Sequence, residues 1–63
     1  MAEDLFKVRE LLKRFHVFVY TGNDQDDAVL MEAELEDLRE MGLIELDEYM
    51  QAKLLLARVK NRH

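Results

Sequence analysis

Three stretches of the chain repeat one spacing of apolar side chains. Leu5, Val8, Leu12 and Phe15 stand three, four and three residues apart, as do Ala28, Met31, Leu35 and Leu38, and again Tyr49, Ala52, Leu56 and Val59. This spacing lines up one face of an α-helix, whose turn takes about 3.6 residues. Leu11 and Leu55 widen the first and third stripes. The pattern predicts helices over about 3–15, 24–41 and 47–61. Packed stripe against stripe, they make an all-α three-helix bundle, a single domain over 1–63.

The segments between the stripes carry their own signals. His16-Val17-Phe18-Val19-Tyr20-Thr21 is β-branched and aromatic, which favours an extended backbone. A lone strand has nothing to pair with, so residues 16–23 are expected to be an extended connector. Phe18 and Tyr20 then share one side of it and dock onto the helices. Gly22 permits a turn, and Asn23 or Asp24 suits the N-cap of the second helix, with Asp26 and Asp27 in its first turn. Gly42 fits the left-handed residue that closes a helix, with Leu43 folding back onto Leu38 in a Schellman motif. Asp47 is the expected N-cap of the third helix, with Glu48 beside it, and the short link makes helices two and three a hairpin.

Composition narrows the function classes. The chain has 63 residues, near the lower limit for independent folding, so stability must come from close helix packing or from self-association. Hydrophobic residues make up 49% of it and charged residues 37%, which excludes a disordered composition. There is no cysteine, so no disulfide or thiolate site, and His16 and His63 are too far apart in sequence to suggest a metal staple. No apolar run exceeds the four residues Leu54 to Ala57, which argues against a membrane-spanning helix. The first residues are acidic and amphipathic, unlike a secretory leader, and a cytoplasmic setting is the expectation.

Charge is sharply segregated. Met1 to Tyr20 carries four basic and three acidic residues, net +1; Thr21 to Glu48 carries eleven acids against Arg39, net −10; Tyr49 to His63 has four basic residues and no acid, net +4. One reading is a basic surface where the end of the first helix meets the third, offering Lys7, Lys13, Arg14, Lys53, Arg58 and Lys60 to phosphates. Phe18 and Tyr20 would add stacking faces for unpaired bases. The simpler reading is that acids at helix starts and bases at helix ends complement the helix dipoles. A net charge of −5 also repels phosphate at long range.

Several segments taken in order resemble a known family. Leu11-Leu12-Lys13-Arg14-Phe15, Val19-Tyr20-Thr21-Gly22, Leu30-Met31-Glu32, Gly42-Leu43-Ile44 and Tyr49-Met50-Gln51-Ala52 together resemble the YqgQ-like family of small bacterial proteins over nearly the whole chain. Separately, Glu34 to Leu56 is similar to the helical hairpin of the short C-terminal (SHOCT) domain. The YqgQ-like resemblance implies a compact three-helix bundle in the cytoplasm of Gram-positive bacteria, with single-stranded nucleic acid as its proposed ligand. It brings no catalytic residues.

Other chemistry finds little footing. A calcium loop starting at Asp24 would need an oxygen ligand at 28 and glycine at 29, where Ala28 and Val29 stand. His16 sits just past a helix end, and Thr21, the only aliphatic hydroxyl, lies in a turn. Glu32, Glu36, Arg39 and Glu40 read as a solvated face with a Glu36–Arg39 pair. No catalytic, cofactor-binding, metal or small-molecule site is expected, and an enzyme is not. Met31, Met41 and Met50 either fill core gaps or form an adaptable binding surface. Val17, Val19, Leu30, Leu46 and Leu54 lie off the stripes and leave apolar surface for a partner or a second copy. The expected function is therefore a small interaction module, with a single-stranded nucleic-acid binder as the alternative.

Overall fold

The computed structural model describes residues 3–61. It is built from three helices, α1 (Glu3–Lys13), α2 (Asp24–Glu40) and α3 (Leu46–Lys60), with no strand among the described residues. The three-helix bundle expected from the apolar spacing is thus what forms. Leu5, Val8 and Leu12 of α1, Ala28, Met31, Leu35 and Leu38 of α2, and Ala52, Leu56 and Val59 of α3 make one buried cluster. Phe15 and Tyr49, the outermost members of their stripes, pack on it half-buried. The α2–α3 hairpin is the most extensive pairing, α1 lies against α3 next, and α1 meets α2 least.

Both helix ends that lead into connectors use the same device. At Gly42 (φ 74°) the amide donates to Arg39 O at 3.0 Å and the Leu43 amide to Leu38 O at 2.9 Å, the expected Schellman pair. Leu43 remains exposed, however, and it is Ile44 that enters the core. The guanidinium of Arg39 holds this corner by donating to Ile44 O at 3.0 Å, rather than pairing with Glu36 as expected. The end of α1 repeats the pattern without a glycine. His16 N–H donates to Lys13 O at 3.0 Å and Val17 N–H to Leu12 O at 3.1 Å, with His16 itself at φ 61°. This turn ends α1 at Lys13, two residues before the stripe runs out, and Phe15 still reaches the core from the turn.

Three other boundaries shift, one of them the end of α3, which falls at Lys60 with Asn61 as its C-cap. Asn23 caps α2 by accepting the Asp26 N–H at 2.9 Å, and the helix ends at Glu40, with Met41 as its C-cap. For α3 the cap is Glu45, not Asp47. The helix starts at Leu46, and the Glu48 carboxylate reaches back to the Glu45 N–H at 3.4 Å. Asp47 instead accepts the Glu48 N–H at 2.9 Å from inside the first turn.

The connector inverts the expected facing. Val17 and Val19 pack on the core, whereas Phe18 and Tyr20 are 72% and 82% exposed. Extended backbone alternates its sides, so only one of the two sets can face the helices. The turn at His16 fixes which one: it aims Phe15 and Val17 inward and hands the outward positions to His16, Phe18 and Tyr20. Arg9 Nε donates to Val19 O at 3.4 Å and keeps that phase.

The left-handed residues that close α1 and α2 should respond oppositely to substitution. His16→Gly relieves a conformation that costs an L-residue about 1–2 kcal/mol, partly offset by the freer unfolded glycine, for a net gain of about 0.5–1 kcal/mol. Gly42→Ala meets nothing within 4 Å yet keeps φ near +74°, so it should lose about 1 kcal/mol. Thermal melts should move up by a few degrees for the first and down for the second.

Candidate functional site

The one buried charge in the described core is Asp27, fully excluded from solvent. Its position four residues before Met31 puts it on the inner side of α2. The carboxylate is satisfied on both oxygens. Oδ1 accepts the Thr21 N–H at 2.7 Å and the Thr21 hydroxyl at 2.6 Å, and Oδ2 accepts Arg9 Nη2 at 2.6 Å. Burial alone would raise its pKa. The Thr21 hydroxyl and amide and the Arg9 guanidinium outweigh that, and they hold it below the usual carboxylate value. Arg9 also lies 5.4 Å from the Tyr20 ring centroid. Asp27 therefore joins α1, the connector and α2, a role its reading as a first-turn acid missed. Every buried side-chain nitrogen and oxygen among the described residues has a partner, so the cluster offers no unsatisfied group for chemistry.

The acids of α2 do similar work on the other side. Glu32 accepts Lys60 Nζ at 2.7 Å and pairs with Lys53 at 3.4 Å; Glu36 accepts Lys53 Nζ and the Tyr49 hydroxyl, both at 2.8 Å. Glu32 and Glu36 thus tie α2 to α3 instead of forming the solvated face expected. The hydrogen bond from Lys60 lowers the Glu32 pKa, and that from Lys53 lowers that of Glu36. Glu36 in turn raises Lys53 and Tyr49.

This pairing decides what becomes of the six candidate cations. Lys13 bonds Glu10 at 3.1 Å, Arg14 bonds Glu48 at 2.9 Å, and Lys53 and Lys60 are held by α2. Lys7 and Arg58 have no ion-pair partner among the described residues, and both are exposed. Lys7 and Arg14 line a groove of about 500 Å³ between α1 and α3, floored by Leu11 and Leu55. Lys13, Phe18 and Tyr20 line a smaller one of about 150 Å³ along the connector. The cations do not gather on one surface, and acids pair with four of the six. The aromatics alone stand more open than the sequence suggested.

Among the described residues no group of three or more His, Asp or Glu side chains is placed to hold a metal ion. No helix of the described residues is long and apolar enough to cross a membrane. Fold and surface together define a small three-helix bundle with one buried ion pair and a set of large apolar side chains left exposed on its surface. The chain belongs to the YqgQ-like family, whose sequence pattern matches residues 2–62, essentially its whole length. No curated protein and no solved structure matches it.

Asp27→Ala should cost about 2–3 kcal/mol, because it leaves Arg9 and the Thr21 amide facing a void. Acid should act on the same group. Its folded pKa lies below the unfolded value near 4, so its contribution is complete above that value and is lost as pH falls through the folded pKa. Denaturant titrations should show wild-type stability falling below about pH 4, with a shallower decline in Asp27→Ala.

Proposed function

We propose that this chain is a non-enzymatic interaction module of the cytoplasm, which binds a macromolecular partner or itself through exposed helix faces. One observation carries the reading. With the core complete, Phe6, Phe18, Tyr20, Val29, Leu30, Met41, Leu43, Leu46, Met50 and Leu54 remain between 47% and 82% exposed. Scattered apolar exposure is ordinary on a protein surface. Ten large side chains on a chain this small exceed that, and Leu30, Leu46 and Leu54 are among the residues lying off the helical stripes. Met41 and Met50 suit a surface that adapts to its partner.

The outward Phe18 and Tyr20 favour a second reading, single-stranded nucleic-acid binding. They stand beside Lys13 and Arg9 on the connector and present ring faces on which unpaired bases can stack. The ion pairs at Lys13, Arg14, Lys53 and Lys60 weigh against it, since each would have to open to admit a phosphate.

Light scattering over a dilution series, with capture from lysate followed by identification and direct titration of what is bound, tests the first reading. Self-association or a saturable complex is the expected outcome, and a strict monomer that captures nothing overturns it. For the second, labelled single-stranded oligonucleotides should bind with a steep salt dependence. The Phe18→Ala/Tyr20→Ala double variant should weaken binding at least tenfold, given about 1–3 kcal/mol per stacked base. No binding at tens of micromolar ends that alternative.

A further inference from the structure

Helix α3 is apolar on two sides. Its inner face gives Ala52, Leu56 and Val59 to the core, while Leu46, Met50 and Leu54 are 52%, 60% and 57% exposed. These three follow one another at four-residue intervals, about one turn, and make a continuous strip that Ala57 extends. At about 100° per residue, the strip points roughly 150° away from the core-facing side. The outer face of α2 differs, because Val29 and Leu30 there stand among Asp26, Glu36, Asp37 and Glu40.

The charges bordering the strip specify what covers it. Asp47 and Arg58 are eleven residues apart, about three turns, so they project along the same edge within roughly 20° of each other. Both are exposed, and neither has an ion-pair partner among the described residues. On the opposite edge Lys53 and Lys60 are already held by Glu32 and Glu36. A helix with acid at one end and base at the other end of one edge complements an antiparallel copy of itself. A two-fold axis perpendicular to the helix brings each edge against its own kind with the ends exchanged. A parallel copy would instead stack two basic C-terminal ends together.

We infer that α3 pairs antiparallel with α3 of a second copy of this chain, about a two-fold axis that runs between the two helices level with residues 52 and 53. Asp47 of each copy then faces Arg58 of the other, and Met50 packs beside Leu54. This rests on the interaction-module reading and supplies its partner. Four side chains per copy fall short of the roughly 800 Å² per partner that stable complexes bury, so the dimer is weak and depends on concentration.

Sedimentation equilibrium from low micromolar to millimolar chain tests it, with circular dichroism to show that each variant is folded. The mass should approach twice that of the monomer in wild type and stay monomeric in Leu54→Glu. Asp47→Arg and Arg58→Asp should each weaken the dimer about tenfold, and the double exchange should recover most of that loss. A chain monomeric at millimolar concentration overturns the inference. So does a dimer indifferent to Leu54→Glu, or one that the double exchange does not restore. If the monomer still forms a saturable complex with another macromolecule, the interaction-module reading survives, so the two failures are separable.

Discussion

One buried carboxylate ties together the two helices of the bundle that share the least surface. Helices α2 and α3 are a hairpin with an extensive shared face, and α1 lies along α3, but α1 and α2 share little surface. Asp27 links α1 to α2, because Arg9 of α1 and Thr21 of the connector both end on it. Burying a carboxylate is costly unless its oxygens are occupied, and here three donors occupy them. Their geometry leaves little freedom. Arg9 also holds the connector through Val19 O, so the ion pair that fixes the angle of α1 also fixes the phase of residues 17–20. The core supplies most of the driving force, while this cluster selects one arrangement of the three helices.

The helices themselves were legible in the sequence because burial imposes a period on the chain. A three-four-three spacing survives whatever the helices pack against, and all three stripes reach the core. Capping was legible where the backbone demands a particular residue, as at Asn23 and Gly42. His16 takes the same left-handed conformation as Gly42 with no glycine to announce it, so the helix reads two residues too long. The α3 start shifted for a related reason. Glu45 is an unusual cap, and Asp47 has the preferred chemistry two positions too late.

What the sequence hid was the partner of each charge. Asp27 looks like its neighbours Asp24 and Asp26, acids in the first turn of a helix, and only its angle about α2 separates it from them. Four residues before Met31 and one before Ala28, it falls on the inner side, a signal that the apolar stripe alone passes over. Glu32 and Glu36 fail in the same way. Read within one helix, they are a solvated row, but their cations come from α3, beyond any local spacing rule. The connector aromatics were misplaced because alternation gives two facings and only the tertiary turn at His16 chooses between them.

Segregated charge therefore acts inside the molecule before it can act outside. Residues 21–48 hold eleven acids against one arginine, and the α2–α3 interface uses Glu32 and Glu36 to anchor two of the three described cations of α3. The third, Arg58, lies on the far side, out of reach of α2. Asp47 shares that edge for a different reason: it belongs to the acidic start of α3, where the helix dipole favours it. Internal pairing and dipole complementation thus leave one acid and one base on a single outer edge, three turns apart and flanking the apolar strip of Leu46, Met50 and Leu54. Neither constraint requires that strip to be apolar. Polar residues there would leave the core, the caps and the Asp27 cluster as they are, so the isolated bundle makes no use of leucine and methionine on the outside of α3, and the α3–α3 pairing inferred above is what would use them.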